Sequence, residues 1–418
     1  MNGNEGFVGG FLKRGGGYVL GSGVLVKVFA LVSSIAVARM VDQIEYGTIS
    51  FCLMLITPLI PLAGLSLDFN YLRNGVLIAG TERIALYKAV SYFGIIFSLI
   101  FVLIVNIGAL LLDVFNQGYG KYLAIFSLLI VFEYMLRIIE VYLRVEENNI
   151  EYSRIGVLRS VIMVSMVMLF VPTLGGGGYV AALVGAPLLV TLLFINKLVS
   201  VLRHPVKAVN FKDIDLKYGA YIGIGAVLSQ LQMPMAGIIY GLWVGDMTQM
   251  AIYKVASIVP FSLVFIPNLI FKSEFVHLVK SGPRLSDTFS YLIGYWRVVI
   301  GLFTMGMLSY YWLGQVAVDT LFGDEYSASY SVMNVLLYAV LGSFLLRQPF
   351  GNILAALGYS GINVVVSLLT TLILIPIMIL LIAKYDVLGA AYGVLLMTWM
   401  TGLILALTYV YISKKGVE

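Results

Sequence analysis

Residues 122–143 read YLAIFSLLIVFEYMLRIIEVYL, and the charged residues among them are Glu133, Arg137 and Glu140. A helix of roughly 20 apolar residues crosses a hydrocarbon layer about 30 Å thick, so this stretch is long enough to span a membrane. Similar stretches recur along the chain, in which 61% of the 418 residues are hydrophobic and 11% are charged. The sequence therefore predicts an all-α integral membrane protein.

The hydrophobic pattern predicts twelve transmembrane helices. We place them near residues 18–38, 47–67, 90–111, 122–143, 157–174, 179–201, 218–243, 251–271, 295–317, 328–357, 362–383 and 388–412. An even number puts both termini on one side. That side carries nineteen Lys and Arg residues near loop ends, against three on the other, namely Arg39, Lys121 and Lys384. The positive-inside rule therefore predicts that both termini are cytoplasmic.

The two halves of the chain resemble each other. Residues 56–58 (ITP) match 258–260 (IVP), residues 134–137 (YMLR) match 344–347 (FLLR), and the turn before 179–182 (YVAA) matches 388–391 (LGAA). The order and the similar offsets predict duplication into two pseudo-symmetric six-helix lobes of the same orientation. We assign the first lobe to 1–202, a cytoplasmic linker to 203–217 and the second lobe to 218–418.

Basic residues within the predicted spans are candidates for substrate binding: Lys27, Arg137, Arg347 and Lys254. Charges inside a membrane are costly and face a wet cavity or a partner. For Arg137 two readings stay open, because Glu133 and Glu140 share its helix face. The three residues form either a structural ladder or a basic site moderated by two carboxylates. Lys254 lies near a span end and could also extend to the surface.

Acidic candidates for binding a coupling ion are Glu133 and Asp68. Asp68 ends the second span, where an ion pair at the helix end with Arg73 is the simpler alternative. A metal centre is not expected, because the chain has one cysteine, Cys52, and two histidines, His204 and His277.

The excess of arginine and lysine within the spans favours an anionic substrate. Arginine binds phosphate through two donors, so a phosphate-containing passenger fits better than an organic cation. The net charge of +5 does not indicate nucleic acid, because the basic residues lie mostly beside predicted spans.

Several motifs resemble those of polysaccharide flippases. They are residues 33–39 (SSIAVAR) leading into 45–51 (EYGTISF), the loop 321–326 (LFGDEY), and residues 352–358 (NILAALG) and 388–391 (LGAA). In order and spacing the chain is similar to the O-antigen flippase branch of the multidrug/oligosaccharidyl-lipid/polysaccharide (MOP) exporter superfamily.

The resemblance implies a V-shaped pair of lobes in the bacterial cytoplasmic (inner) membrane. It implies transport of an undecaprenyl-diphosphate-linked oligosaccharide to the outer leaflet by alternating access, for O-antigen, capsule or exopolysaccharide assembly. No cofactor is expected, and a proton or sodium gradient is the expected energy source. The expected partners are membrane lipid, a polysaccharide polymerase and a chain-length regulator.

The sequence argues against two rival functions. A multidrug antiporter of the MATE type shares the architecture, but unpaired carboxylates at the centre would be typical of it. A membrane enzyme such as a polymerase or glycosyltransferase needs a substantial outer loop, and the predicted outer loops are short. We therefore expect a transporter and not an enzyme.

Overall fold

The computed structural model describes residues 16–114, 119–146, 148–203, 205, 216–268, 270–271 and 285–415. Within these ranges the chain forms helices and turns and no β-strand. Most of the predicted linker 203–217 and both histidines lie outside the described residues.

The helices follow the predicted order and are numbered here as spans. The first six are Gly16–Met40, Gln43–Asn74, Gly80–Val114, Gly120–Val145, Asn149–Leu174 and Gly176–Leu202. The seventh is Leu216–Leu231 with Met235–Trp243, the eighth Met247–Leu263 with 265–268, the ninth Leu285–Phe322 and the tenth Ser329–Ala356. The eleventh and twelfth lie within Ser360–Lys415.

Ser360–Lys415 is a hairpin of two helices. Its backbone leaves the helical region at Asp386 (φ 54°, ψ −135°), and the hydroxyl oxygens of Thr370 and Thr401 lie 3.0 Å apart. In the described residues ten helices are long and apolar enough to cross a membrane, or eleven with the broken seventh span. Dividing the hairpin at Asp386 gives twelve, so the predicted all-α membrane fold is confirmed.

The chain divides into two compact units. Unit A is Val28–Leu231, and unit B comprises the described residues up to Lys27 and those from Gln232 onward. The grouping departs from the predicted boundaries, because the helix Leu216–Leu231 packs with the first-half spans. Two glycines permit this packing: a Cβ on Gly219 would lie 2.7 Å from the Leu65 carbonyl oxygen, and one on Gly223 2.1 Å from Ser66 Oγ.

The units share features that support the predicted duplication. Asp42 caps the second span by accepting from the amides of residues 44 and 45, and Asp246 caps the eighth in the same way from residues 248 and 249. Gly175 (φ 55°, ψ −133°), between the fifth and sixth spans, has the backbone conformation of Asp386. Asp386 follows Gly175 by 211 positions. The matching sequence segments of the two halves are separated by similar distances, 202 positions for 56–58 and 258–260 and 210 for 134–137 and 344–347.

Burial separates helices that face lipid from helices that form the core. The most apolar window of the third span is 17% buried, whereas that of the fourth is 61% buried. Leucine side chains of the third span, such as Leu103, are exposed, while Leu136 and Ile139 of the fourth are buried. The charged fourth span therefore lies at the centre of unit A, where its charges meet protein groups rather than lipid.

Candidate functional site

The second span is broken where its prolines predict a bend. A 3₁₀ segment, Thr57–Ser66, contains Pro58 and Pro61, which cannot donate backbone hydrogen bonds. It ends in three consecutive residues with positive φ, Gly64 (62°), Leu65 (52°) and Ser66 (55°). The regular ladder of backbone hydrogen bonds is interrupted here, so carbonyl oxygens need other donors.

Arg137 of the fourth span supplies those donors. Its Nη2 donates to the carbonyl oxygens of Ile60 (3.0 Å) and Ala63 (3.4 Å). Its Nη1 lies 3.6 Å from Oδ2 of Asp68, which is 2% exposed. Arg137 thus forms its ion pair with Asp68 rather than with Glu133 or Glu140. The ion pair of Asp68 joins it to the fourth span rather than to Arg73.

Glu133 pairs with Arg159 of the fifth span. Arg159 Nη1 donates to Glu133 Oε2 at 3.0 Å, and Nη2 donates to Oε1. The predicted fifth span, 157–174, begins two residues before Arg159, whereas the observed helix begins at Asn149, capped by the side chain of Asn148. Arg159 therefore lies inside a membrane helix, more than two turns from its start.

The two arginines line one cavity within unit A. Its volume is about 340 Å³, and the second, fourth, fifth, sixth and seventh spans contribute its walls. The walls are mostly apolar, and the polar side chains among them are Thr57, Glu133, Arg137, Arg159 and Gln230. Two guanidinium groups and one carboxylate thus face the same space, which gives it a formal excess of positive charge.

Arg347 occupies a comparable break in unit B. It ends a π-helical segment, Ser343–Arg347, in the tenth span. Pro349 cannot donate to the carbonyl of Leu345, four residues earlier, and the indole of Trp296 donates to that oxygen at 2.9 Å. The phenol of Tyr295 donates to the carbonyl of Phe344 at 3.0 Å. Pro349 therefore opens the helix locally.

Lys27 and Lys254 are the remaining predicted binding residues, and both are half-buried in unit B. The Lys27 ammonium lies 6.0 Å from the centroid of the Phe265 ring, within reach of a cation–π interaction. Among the described residues neither lysine forms an ion pair with a carboxylate. The structure thus brings Arg137, Glu133 and Asp68 together in unit A and places Lys27, Lys254 and Arg347 in unit B.

The sequence matches no family model and no curated protein, but its fold matches solved transporters. The lipid II flippase MurJ, in an inward closed conformation, is 14% identical, with a TM-score of 0.68 over 93% of this chain and 86% of that one. A eukaryotic MATE transporter is 16% identical, with a TM-score of 0.67 over 97% and 98%. A MOP superfamily transporter from Pyrococcus furiosus is 15% identical, with a TM-score of 0.59 over 94% and 93%.

These comparisons define the class of fold. The chain is a multi-pass membrane protein with the fold shared by MATE transporters and the MurJ flippase, so the predicted fold class is confirmed. The matched structures are transporters and not enzymes. They include both MATE transporters and a lipid flippase.

Proposed function

We propose that this protein flips undecaprenyl-diphosphate-linked oligosaccharide repeat units across the bacterial inner membrane, for surface polysaccharide assembly. Both termini are cytoplasmic in this proposal, and the headgroup is loaded from the cytoplasmic side. The polyprenyl tail stays in lipid while the headgroup passes through the protein. A bare diphosphate in hydrocarbon is prohibitively costly, so the protein must replace its water with charged donors.

The observation that carries the proposal is the pair of guanidinium groups, Arg137 and Arg159, on one cavity. Arginine presents a planar set of donors that matches phosphate oxygens, and charge-assisted hydrogen bonds are about twice as strong as neutral ones. A diphosphate offers enough oxygens for both groups at once. Lys27, Lys254 and Arg347 of unit B are proposed as further cationic contacts along its path.

A MATE-type multidrug antiporter is the second candidate, favoured by the equally strong fold match to a MATE transporter. For a cationic drug the cavity offers one carboxylate, Glu133, and both of its oxygens already accept hydrogen bonds from Arg159. An organic cation would have to displace an arginine and then sit beside it. The charges of the cavity therefore favour the anionic passenger.

The proposal includes an energy source for transport and the proteins that receive the flipped lipid. A proton or sodium gradient drives the cycle, and release requires that the site bind less tightly in the outward state, since equal affinity in both states shifts no equilibrium. A polysaccharide polymerase and a chain-length regulator would receive the flipped lipid.

The test is headgroup translocation in proteoliposomes loaded with an undecaprenyl-diphosphate oligosaccharide. Replacing Arg159 by Gln leaves the Glu133 carboxylate facing the cavity without its partner, and we expect translocation to fall about 10- to 100-fold. Arg154→Gln is the matched control, because Arg154 lies on the same helix, is exposed and does not line the cavity. We expect its rate to stay within about twofold of the wild type.

Two results would reject the proposal. One is an Arg159→Gln variant that flips the lipid at the wild-type rate. The other is wild-type protein that does not translocate the diphosphate lipid but exports ethidium in exchange for protons. That result would establish the antiporter instead.

A further inference from the structure

We propose that Asp68 is the internal counter-anion of Arg137, and that a substrate anion which binds Arg137 displaces Asp68 and makes it take up one proton. This inference rests on the proposed function and adds to it a step that compensates the charge of a bound anion. The proton comes from the aqueous phase and ends on a carboxylate oxygen of Asp68, so the charge of the anion is compensated by one incoming positive charge.

The charge of Asp68 is stabilised by one countercharge, Arg137, and by the backbone amides of residues 68 and 69. The side chain is 2% exposed, and its Oδ2 lies 3.6 Å from Arg137 Nη1. Its other oxygen, Oδ1, is buried and has no hydrogen-bond partner among the described residues. A carboxylate oxygen without a hydrogen-bond partner can receive a proton.

Few other charges act on Asp68. The short helix Leu67–Asn74 packs against the 3₁₀ segment, the third and fourth spans and the first helix of the seventh. Among the described residues of these elements, Arg137 is the charged group that acts on Asp68. The phenol of Tyr134 is the other titratable neighbour, and it donates its hydrogen bond to the carbonyl of Val90 at 2.9 Å. Removing Arg137 from the pair therefore leaves the carboxylate without a countercharge.

The other contacts of Arg137 cannot replace that countercharge. Its Nη2 donates to the backbone carbonyls of Ile60 and Ala63, which are neutral acceptors. When a phosphate takes over the positive charge of Arg137 from the cavity side, Asp68 becomes an isolated buried charge. Groups in that situation neutralise by binding a proton rather than stay ionised. Anion binding and proton uptake are then two halves of one exchange.

Glu133 does not fit this role, although it lines the cavity. Both of its oxygens accept from Arg159, which is itself part-exposed. Its charge is compensated by two charge-assisted hydrogen bonds, whereas Oδ1 of Asp68 has no hydrogen-bond partner among the described residues. Of the two acidic residues proposed from the sequence, we therefore assign the proton uptake to Asp68.

The exchange is measurable as protons taken up per anion bound. The purified wild-type protein is titrated at pH 8 with farnesyl diphosphate, by calorimetry in two buffers that differ in ionisation enthalpy. At this pH the phosphates of the probe are ionised, since their last pKa lies near 6. We expect an uptake of about one proton per ligand bound.

Two variants identify the group that takes up the proton. We expect Asp68→Asn to take up none, and to bind the probe about tenfold more tightly at pH 8, because no carboxylate competes for Arg137. We expect Glu133→Gln to keep the wild-type proton uptake. The Asp68→Asn titration also corrects for any proton bound by the probe itself.

The possible outcomes separate the inference from the proposed function. Wild-type protein that binds the diphosphate without proton uptake overturns the inference and leaves the proposed function intact. Undiminished uptake by Asp68→Asn does the same. Wild-type protein that binds no diphosphate removes the proposed function, and the inference with it. Should the Asp68→Asn variant fail to fold, the wild-type proton count alone decides.

Discussion

Glu133 and Arg159 form a two-point ion pair between the fourth and fifth spans, with both carboxylate oxygens engaged. The pair joins residues 26 positions apart and holds one of the two cavity arginines in place. Glu133 is therefore both an anchor for Arg159 and a competitor for any anion that approaches it.

The first prediction concerns that competition. Replacing Glu133 by Gln frees the Arg159 guanidinium, and we expect a diphosphate probe to bind about five- to tenfold more tightly. The free energy of unfolding in detergent should fall by about 1–3 kcal/mol, because a charge-assisted pair is lost. Calorimetry and thermal melting measure the two effects. A weaker affinity would show that Glu133 does not compete with the ligand.

The second prediction concerns Arg137 and Asp68. Replacing Arg137 by Met strands a buried carboxylate, which should cost about 3–5 kcal/mol of stability. Adding Asp68→Asn to that variant should recover a large part of the loss, because the stranded group is then neutral. Recovery stays incomplete, since the carbonyls of Ile60 and Ala63 still lack their donor. Losses that simply add up in the double variant would contradict the pairing.

The third prediction tests how the third span packs against Tyr134 of the fourth span. Tyr134 lies so close to the third span that a Cβ on Gly94 would come 1.8 Å from its Oη. We expect Gly94→Ala to reduce stability by about 1–3 kcal/mol, because an overpacked core must shift. Gly108→Ala is the matched control on the same helix, as its Cβ would meet nothing within 4 Å. Equal melting temperatures for the two variants would count against the contact.

Much of the fold was readable from the sequence. Hydrophobic length predicts a membrane helix directly. The breaks in the second and tenth spans lie at prolines, Pro58 and Pro61 in one and Pro349 in the other, because proline lacks a backbone donor. These features follow from local chemistry, namely the cost of polar groups in lipid and the missing donor of proline.

The ion-pair partners of the charged residues could not be predicted from the sequence. Glu133 and Arg137 are four residues apart on one helix, which predicts a local pair, yet each binds a residue of another helix. Arg159 was missed because it lies only two residues inside the predicted fifth span, which begins eight residues after the observed helix starts at Asn149. Hydropathy reports where a helix is apolar, whereas partner choice depends on how neighbouring helices pack.

The fourth prediction isolates backbone strain in the turn between the eleventh and twelfth spans. Asp386 has a positive φ, and its Oδ1 accepts a hydrogen bond from the phenol of Tyr240 at 2.6 Å. Asp386→Gly and Asp386→Ala both remove that hydrogen bond. The difference between their free energies of unfolding therefore reports the backbone conformation alone. We expect the glycine variant to be more stable by about 1–2 kcal/mol, as glycine adopts positive φ without a Cβ clash. Thermal melting of the two variants side by side gives the difference, and equal melting points would contradict the strain.

The last prediction tests the proposed orientation at the two ends of the tenth span. Cys52 is buried and is the one cysteine of the chain, so Cys52→Ala gives a background free of thiols. Asp324 and Tyr359 are exposed in the turns that flank the tenth span, and each can carry a single reporter cysteine. The excess of Lys and Arg on the side of the N-terminus predicts that Asp324 lies outside and Tyr359 in the cytoplasm. A membrane-impermeant maleimide should therefore label Asp324→Cys in cells with a permeabilised outer membrane, and Tyr359→Cys only after lysis. The reverse pattern would place the termini outside and invert the direction of loading, and labelling of both positions in intact cells would contradict the tenth helix as a span.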